Sequence, residues 1–260
     1  MKIKIISFFV IVITLLNVSV TSSAAASGLN WYVKRSGNKQ PTLPEEHKAT
    51  EGYNCYYIDK KVSDGSQDKI IYLTFDAGYE NGNVEKILNV MREQQVRGAF
   101  FILGNVIARN PELVKRMADD GHLVCNHTYS HKNITTMSAD AIKAELSKLE
   151  CAYSELTGKQ MDKFFRPPEG TFDHSSLQAV ANNGYKTVFW SFAYADWDNN
   201  NQMSATAAKK KIFDNLHNGE IMLLHPTSAT NAEIMNDMIC ELRSQGYRFG
   251  TLDELDFEAT

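Results

Sequence analysis

No two of the four cysteines, Cys55, Cys125, Cys151 and Cys240, form a C-x-x-C pair, which excludes a zinc ribbon. Nor is there an excess of positive charge. The chain has 27 Lys and Arg against 31 Asp and Glu, a net charge of −4, whereas a nucleic-acid binder that tracks phosphates needs the opposite balance. No apolar run is long enough to span a bilayer comfortably, which takes about 20 residues. The longest, residues 5–16, follows Lys2 and Lys4 and precedes Ala24, Ala25 and Ala26, a small-residue A-x-A cleavage site. This pattern predicts a signal peptide over 1–26 and a mature chain beginning near Ser27. Loss of the two lysines takes the net charge from −4 to −6. No cysteine stands at that boundary to take a lipid, so the expected product is secreted, without stable membrane insertion. An oxidising destination permits disulfides, and four cysteines allow three pairings; buried, unpaired thiols are the alternative.

What is present changes character along the chain. Residues 27–67 are polar, punctuated by Gly37, Pro41, Pro44 and Gly52, and carry an aromatic cluster at Tyr53, Tyr56 and Tyr57. They read as a lead-in that packs on a domain over 68–257. From there, short β-branched and aromatic runs alternate with longer amphipathic ones. Strands are predicted at 70–75, 98–103, 122–126, 163–166, 187–192, 221–224 and 249–251, and helices at 83–94, 111–120, 138–157, 175–183, 205–216 and 231–245. Gly121, Gly158, Gly184 and Gly246 stand where left-handed helix stops belong. Alternation of this kind is an α/β architecture, either an open doubly wound sheet or a (β/α) barrel of about seven parallel strands.

Asp76, His127, Arg166, Asp196 and His225 each fall at the C-terminal end of a predicted strand or just beyond it. That edge carries the active site in barrels and in open parallel sheets. His127-Thr128-Tyr129-Ser130-His131 places two imidazoles at i and i+4, which share a face if the segment is a helical turn and then converge on one metal ion. Two ordinary loop histidines would give the same string. In Thr74-Phe75-Asp76-Ala77-Gly78 the carboxylate is either a general base or a cap for the helix near Asn83. Arg166, opening Arg166-Pro167-Pro168-Glu169-Gly170, would hold Asp76 ionised if the two meet; a surface ion pair is the plainer outcome. His225, after Leu223 and Leu224, is a general acid if Asp196 orients it and a satisfied core histidine otherwise. Trp197 offers a ring face to a sugar or belongs to the core.

Taken in order, TFDAG, HTYSH, RPPEG, the DW of YADWD, and LLH resemble the five motifs of the polysaccharide deacetylases, the NodB-homology family. Asn30-Trp31, Lys34-Arg35-Ser36, Gln40-Pro41, Tyr79-Glu80-Asn81-Gly82 and Thr187-Val188-Phe189-Trp190-Ser191 resemble its sporulation subgroup, which makes muramic δ-lactam in spore cortex. The resemblance implies a distorted (β/α) barrel and a hydrolase that removes N-acetyl groups from a peptidoglycan strand with a divalent ion, zinc or similar, on His127 and His131. It implies Asp76 as base oriented by Arg166, His225 as acid supported by Asp196, and Trp197, Glu169 and Leu223 as substrate contacts, with an oxyanion donor among the backbone N–H groups near Glu169. Ala77 stands where most members have a second aspartate as metal ligand, so the ion is expected to bind weakly; Glu169 stands where an aromatic is common. The product, the δ-lactam, requires a peptide-free lactyl group and hence a separate amidase. Chitin oligomers or acetylated xylan are alternative substrates, and a non-catalytic glycan binder is the alternative class.

Overall fold

A computed structural model describes residues 28–255. The expected signal peptide and residues 256 and 257 of the expected domain lie outside the described residues. The elements run β1 (Leu29–Asn30), β2 (Cys55–Tyr56), β3 (Lys69–Ala77), α1 (Asn83–Glu93), β4 (Ala99–Ile102), α2 (Gly104–Arg109), α3 (Pro111–Asp119), β5 (Leu123–Asn126), α4 (Ala139–Thr157), β6 (Asp162–Phe165), β7 (Thr171–Phe172), α5 (His174–Asn182), β8 (Lys186–Val188), β9 (Phe192–Ala193), α6 (Ala205–Phe213), β10 (Glu220–Leu224), α7 (Ala229–Ser244) and β11 (Tyr247–Gly250).

The main sheet is parallel throughout, in the order β2-β8-β6-β5-β4-β3-β10-β9, with β11 also paired to β3. It curls into a half-barrel, the distorted (β/α) barrel expected from the sequence. β3 lies inside it, and its side chains alternate between two apolar environments. Ile71, Leu73, Phe75 and Ala77 pack outward into a core shared with Ile87 and Leu88 of α1 and Met235 and Ile239 of α7. Ile70 and Tyr72 point inward, toward Phe101, Cys125, Val188 and Ile221. Thr74 and Asp76 continue that inward row by the same period of two, which is how a carboxylate reaches the mouth of an otherwise apolar interior.

The expected strand at 187–192 is two strands. β8 pairs with β6 and β2 at one edge of the sheet, while β9 pairs with β10 at the other. Residues 189–191 therefore cross the gap between the edges and close the barrel without a ladder, held by Phe189 N–H on Tyr56 O (2.8 Å) and Ser191 N–H on Ile221 O (3.0 Å). Helix α2 was not expected either; its short stretch begins on a glycine and runs directly into Asn110-Pro111, too brief to show a period. Gly121, Gly158, Gly184 and Gly246 all have positive φ, as helix stops require.

Within 28–67, β1 pairs antiparallel with β7. Trp31 is buried between His47 and Phe189, with ring centroids at 5.1 and 4.0 Å, and its indole N–H donates to Trp190 O at 2.9 Å. This segment thus braces the residues that close the barrel. All four cysteines are free: Cys125 is buried, Cys55 half-buried, and Cys151 and Cys240 are exposed. Burial pushes the Cys55 thiol up to about 12. Among the described residues no helix is long and apolar enough to cross a membrane.

Removing the indole leaves a cavity beneath the closing segment. Trp31→Ala is expected to lower the unfolding free energy by about 3–5 kcal/mol, measured by urea titration of the mature chain.

Candidate active site

A cavity of about 840 Å³ opens over the C-terminal ends of β3, β5, β9 and β10, lined among others by Asp76, His127, His131, Glu169, Trp197, Leu223 and His225. Arg166 and Asp196 do not line it; both are buried directly behind it.

Arg166 follows β6 and is fully enclosed. Its Nη1 donates to Asp76 Oδ1 at 2.9 Å, Nη2 to Thr74 Oγ1 at 2.9 Å and to Phe189 O at 3.2 Å, and Nε to Val188 O at 2.9 Å. The guanidinium carbon lies 4.2 Å from the centroid of the Phe101 ring, a cation–π contact. The pair is therefore internal, and Asp76 caps no helix: the N-cap of α1 is Gly82. Burial alone would raise the Asp76 carboxyl, but Arg166 foremost, with His127 and His225, outweighs it and holds Asp76 below the ordinary carboxylate range.

The expectation that HTYSH is a helical turn is corrected. Residues 127–131 form a loop in which Thr128 (φ 68°) and His131 (φ 57°) are both left-handed. Asn126 Oδ1 accepts from Thr128 N–H at 2.9 Å, and Thr128 Oγ1 accepts from His131 N–H at 2.9 Å, so side chains supply the bonds that a helix would have made. The two imidazoles still meet, with ring centroids at 5.0 Å. His127 Nδ1–H donates to Arg166 O at 2.7 Å, leaving the Nε2 lone pair facing Asp76 Oδ2 at 3.7 Å. Burial, against the pull of Asp76, depresses the His127 imidazole to about 4, so it is neutral at physiological pH.

Neutral imidazoles suit zinc and related divalent ions, and the backbone bond that fixes the His127 tautomer is the support such a ligand usually has. The Ala77 methyl can contribute nothing, and among the described residues no group of three His, Cys, Asp or Glu side chains forms a metal-binding set. The donor set therefore fits an ion held by two imidazoles with water completing its shell, weaker than a site with three protein ligands.

On the opposite side, Asp196 Oδ1 accepts from His225 Nδ1–H at 2.7 Å and Oδ2 from His225 N–H at 2.8 Å. Burial opposes the charged imidazole, but Asp196, by hydrogen bond and charge, together with Asp76, overcomes it and the smaller opposing effect of Arg166, raising His225 above its ordinary value. Its Nε2 is left free toward the cavity.

Trp197 is 64% exposed at the rim, not in the core, and Tyr79, 44% exposed, accepts a hydrogen bond from Asn199 across the mouth. Glu169 lines the wall at φ 60°, an unusual backbone for a residue with a side chain. Gly170 must follow it, because a Cβ there would stand 2.6 Å from Trp190. Tyr79, Leu103, Trp190, Tyr194 and Thr227 also line the cavity and were not singled out from the sequence. The only signal for two of them was that Tyr79 and Trp190 sit in the YENG and TVFWS stretches.

Residues 63–188 match the family model for polysaccharide deacetylase. The chain is 41% identical over 234 residues to the peptidoglycan-N-acetylmuramic acid deacetylase PdaA of Bacillus subtilis, covering 88% of this chain and 86% of that protein. The solved structure of PdaA, a family 4 carbohydrate esterase, superposes with a TM-score of 0.82 at 40% identity, covering 89% and 97% of the two chains. A family 4 carbohydrate esterase from Bacillus anthracis is 32% identical with a TM-score of 0.70, covering 86% and 98%. A pseudoenzyme of the same family from that organism is 25% identical with a TM-score of 0.70, covering 83% and 73%. By sequence, fold and the set of side chains gathered in this cavity, the chain belongs to the polysaccharide deacetylases, family 4 carbohydrate esterases that hydrolyse the amide bond of N-acetyl groups.

Proposed function

We propose that the chain deacetylates muramic acid residues of peptidoglycan that have already lost their peptide, leading to muramic δ-lactam in spore cortex, and that it works there as a secreted enzyme after a separate amidase. The observation that carries the reaction is the pair of oppositely tuned dyads on one cavity: Arg166 shifts Asp76 toward its ionised form, and Asp196 shifts His225 toward its charged form. Peptidoglycan as substrate is supported by the similarity to PdaA across most of both chains.

Asp76 accepts a proton from water as that water adds to the acetamide carbonyl. His225 then protonates the departing nitrogen through Nε2, giving acetate and the free amine. A divalent ion on His127 and His131 would polarise the carbonyl and acidify the water. The developing oxyanion has a candidate donor in the backbone N–H groups near Glu169. Trp197 offers its exposed face to a sugar ring, Leu223 floors the cavity, and the Glu169 carboxylate accepts from sugar hydroxyls.

A second reading, a glycan binder without catalysis, is favoured by Ala77 alone. The retained base, acid and their buried supports argue against it, since binding requires no matched pair of proton carriers.

The base assignment is checked with the isosteric Asp76→Asn, expected to fold normally and to lose about 10²–10⁴-fold in kcat; turnover near wild type would also remove Asp76 from the mechanism. In Arg166→Met, burial of Asp76 is no longer offset by a neighbouring guanidinium. The carboxyl should titrate higher, as read by carbon-13 NMR, and the limb of activity that needs the ionised base should move to higher pH.

Substrate choice is tested by mass measurement of muramic residues after incubation with glycan strands, with and without prior peptide removal. A δ-lactam joins the muramic nitrogen to its own lactyl carboxyl, so the acetyl must leave and the carboxyl must be free. Peptide-free strands should show net loss of one acetyl group and one water. Efficient deacetylation of fully peptide-substituted muramic acid, or of glucosamine in preference to it, would overturn the proposal.

A further inference from the structure

Asp196 orients His225, but a carboxylate on a loop needs something to orient it in turn. The sequence motifs supply nothing for that task. The structure places Asn231 there, fully buried in the first turn of α7, with its N–H on the capping Ser228 Oγ at 3.1 Å. Its side-chain Nδ2 donates to Asp196 Oδ2 at 2.6 Å and to His225 O at 3.1 Å, while its Oδ1 accepts from the hydroxyl of buried Tyr194. The direction of the amide is fixed by chemistry. Reversed, its oxygen would face a carboxylate and a carbonyl with no proton between them.

We infer that Asn231 is a positioning residue for the reaction: by holding Asp196 and the His225 backbone together, it keeps Nδ1–H engaged, so that the proton the charged ring gives up is the one on Nε2, aimed into the cavity. This rests on the assignment of His225 as general acid. Asp196 has two oxygens and two tasks. Oδ1 must accept from His225 Nδ1–H, and Oδ2 receives both His225 N–H and Asn231. With Asn231 in place, rotation of the carboxylate breaks three hydrogen bonds at once. Without it, Oδ2 keeps a single donor in a buried site, and the carboxylate can turn so that Nδ1 loses its partner. The charged ring can then give up its Nδ1 proton instead, its neutral form reverts toward the Nε2–H tautomer that free imidazole favours, and delivery from the nitrogen facing substrate is no longer set. Asn231 touches no cavity surface, so its loss should be felt in turnover and not in substrate binding.

The test uses the mature enzyme with nitrogen-15-labelled histidine and peptide-free glycan strands. Asn231→Leu keeps the volume and removes both donated bonds. Misplacing a reacting group by about 1 Å costs roughly 100-fold, so a loss of about 10- to 100-fold in kcat is expected, with KM changed less than about twofold. At a pH where the ring is neutral, the His225 signal, identified by its absence in His225→Gln, should move from the Nδ1–H toward the Nε2–H tautomer. A role confined to stability would leave that tautomer unchanged. Asn231→Asp, nearly isosteric, is the second variant. At low pH a shared proton replaces the donor, and turnover relative to wild type at the same pH should be restored; at high pH two carboxylates meet, and both the relative turnover and the Nδ1–H tautomer should be lost. Retention of the Nδ1–H tautomer in Asn231→Leu, or equal behaviour of Asn231→Asp at both extremes, overturns the positioning role while leaving His225 as the acid. If His225→Gln itself turns over normally, the acid assignment fails, and the positioning role fails with it.

Discussion

A guanidinium with no access to water has to be neutralised and hydrogen-bonded, and Arg166 engages all three of its nitrogens with groups drawn from separate parts of the barrel. Thr74 and Asp76 come from β3, and the carbonyls of Val188 and Phe189 come from the end of β8 and the start of the segment that crosses to the opposite edge. The Arg166 carbonyl meanwhile takes the Nδ1 proton of His127. One residue thus ties the closure of the sheet, the ionisation of Asp76 and the tautomer of an imidazole into a single arrangement. Trp31 braces the same closing segment from the far side, through Phe189 and the Trp190 carbonyl.

The two halves of the site are separated by what surrounds them. Asp76 and His127 share the Arg166 side, where positive charge and burial favour carboxylate and neutral imidazole. His225 sits against Asp196, where negative charge favours imidazolium. Groups of ordinary intrinsic acidity are pushed apart in this way, so one cavity can accept a proton on one wall and release one from the other.

Much of this was legible in the sequence because the principal side chains interrupt apolar strands at their ends. Asp76, Arg166 and His225 each follow a run that can only be buried, and a polar residue in that place has to be explained. The longer strands and helices were readable for the same reason, and the helix expected at 83–94 is Asn83–Glu93, whereas the two-residue strands β1, β2 and β7 are too short to show a period. Features made by closure in three dimensions were not readable. The 187–192 run has the composition of one strand, and nothing local says that Trp190 and Ser191 leave one edge for the other. Trp190, Tyr194 and Thr227 line the cavity only because of that crossing and the loops beside it. Asn231 lies in a helix start that looks ordinary until Asp196 is placed against it. The spacing of His127 and His131 suggested proximity, which holds, by way of a helical turn, which does not.

That last difference bears on how the chain can change. Thr128 and His131 bring the imidazoles together from a conformation that L residues with a branched or bulky side chain seldom adopt. Glycine at 128 would relieve the backbone, yet it would also delete the hydroxyl that accepts from His131 N–H. The substitution that most eases the loop is therefore the one that releases the second imidazole. A search for thermostable variants guided by backbone comfort would trade away the aim of the ring pair, and the two goals have to be pursued at different places in the molecule.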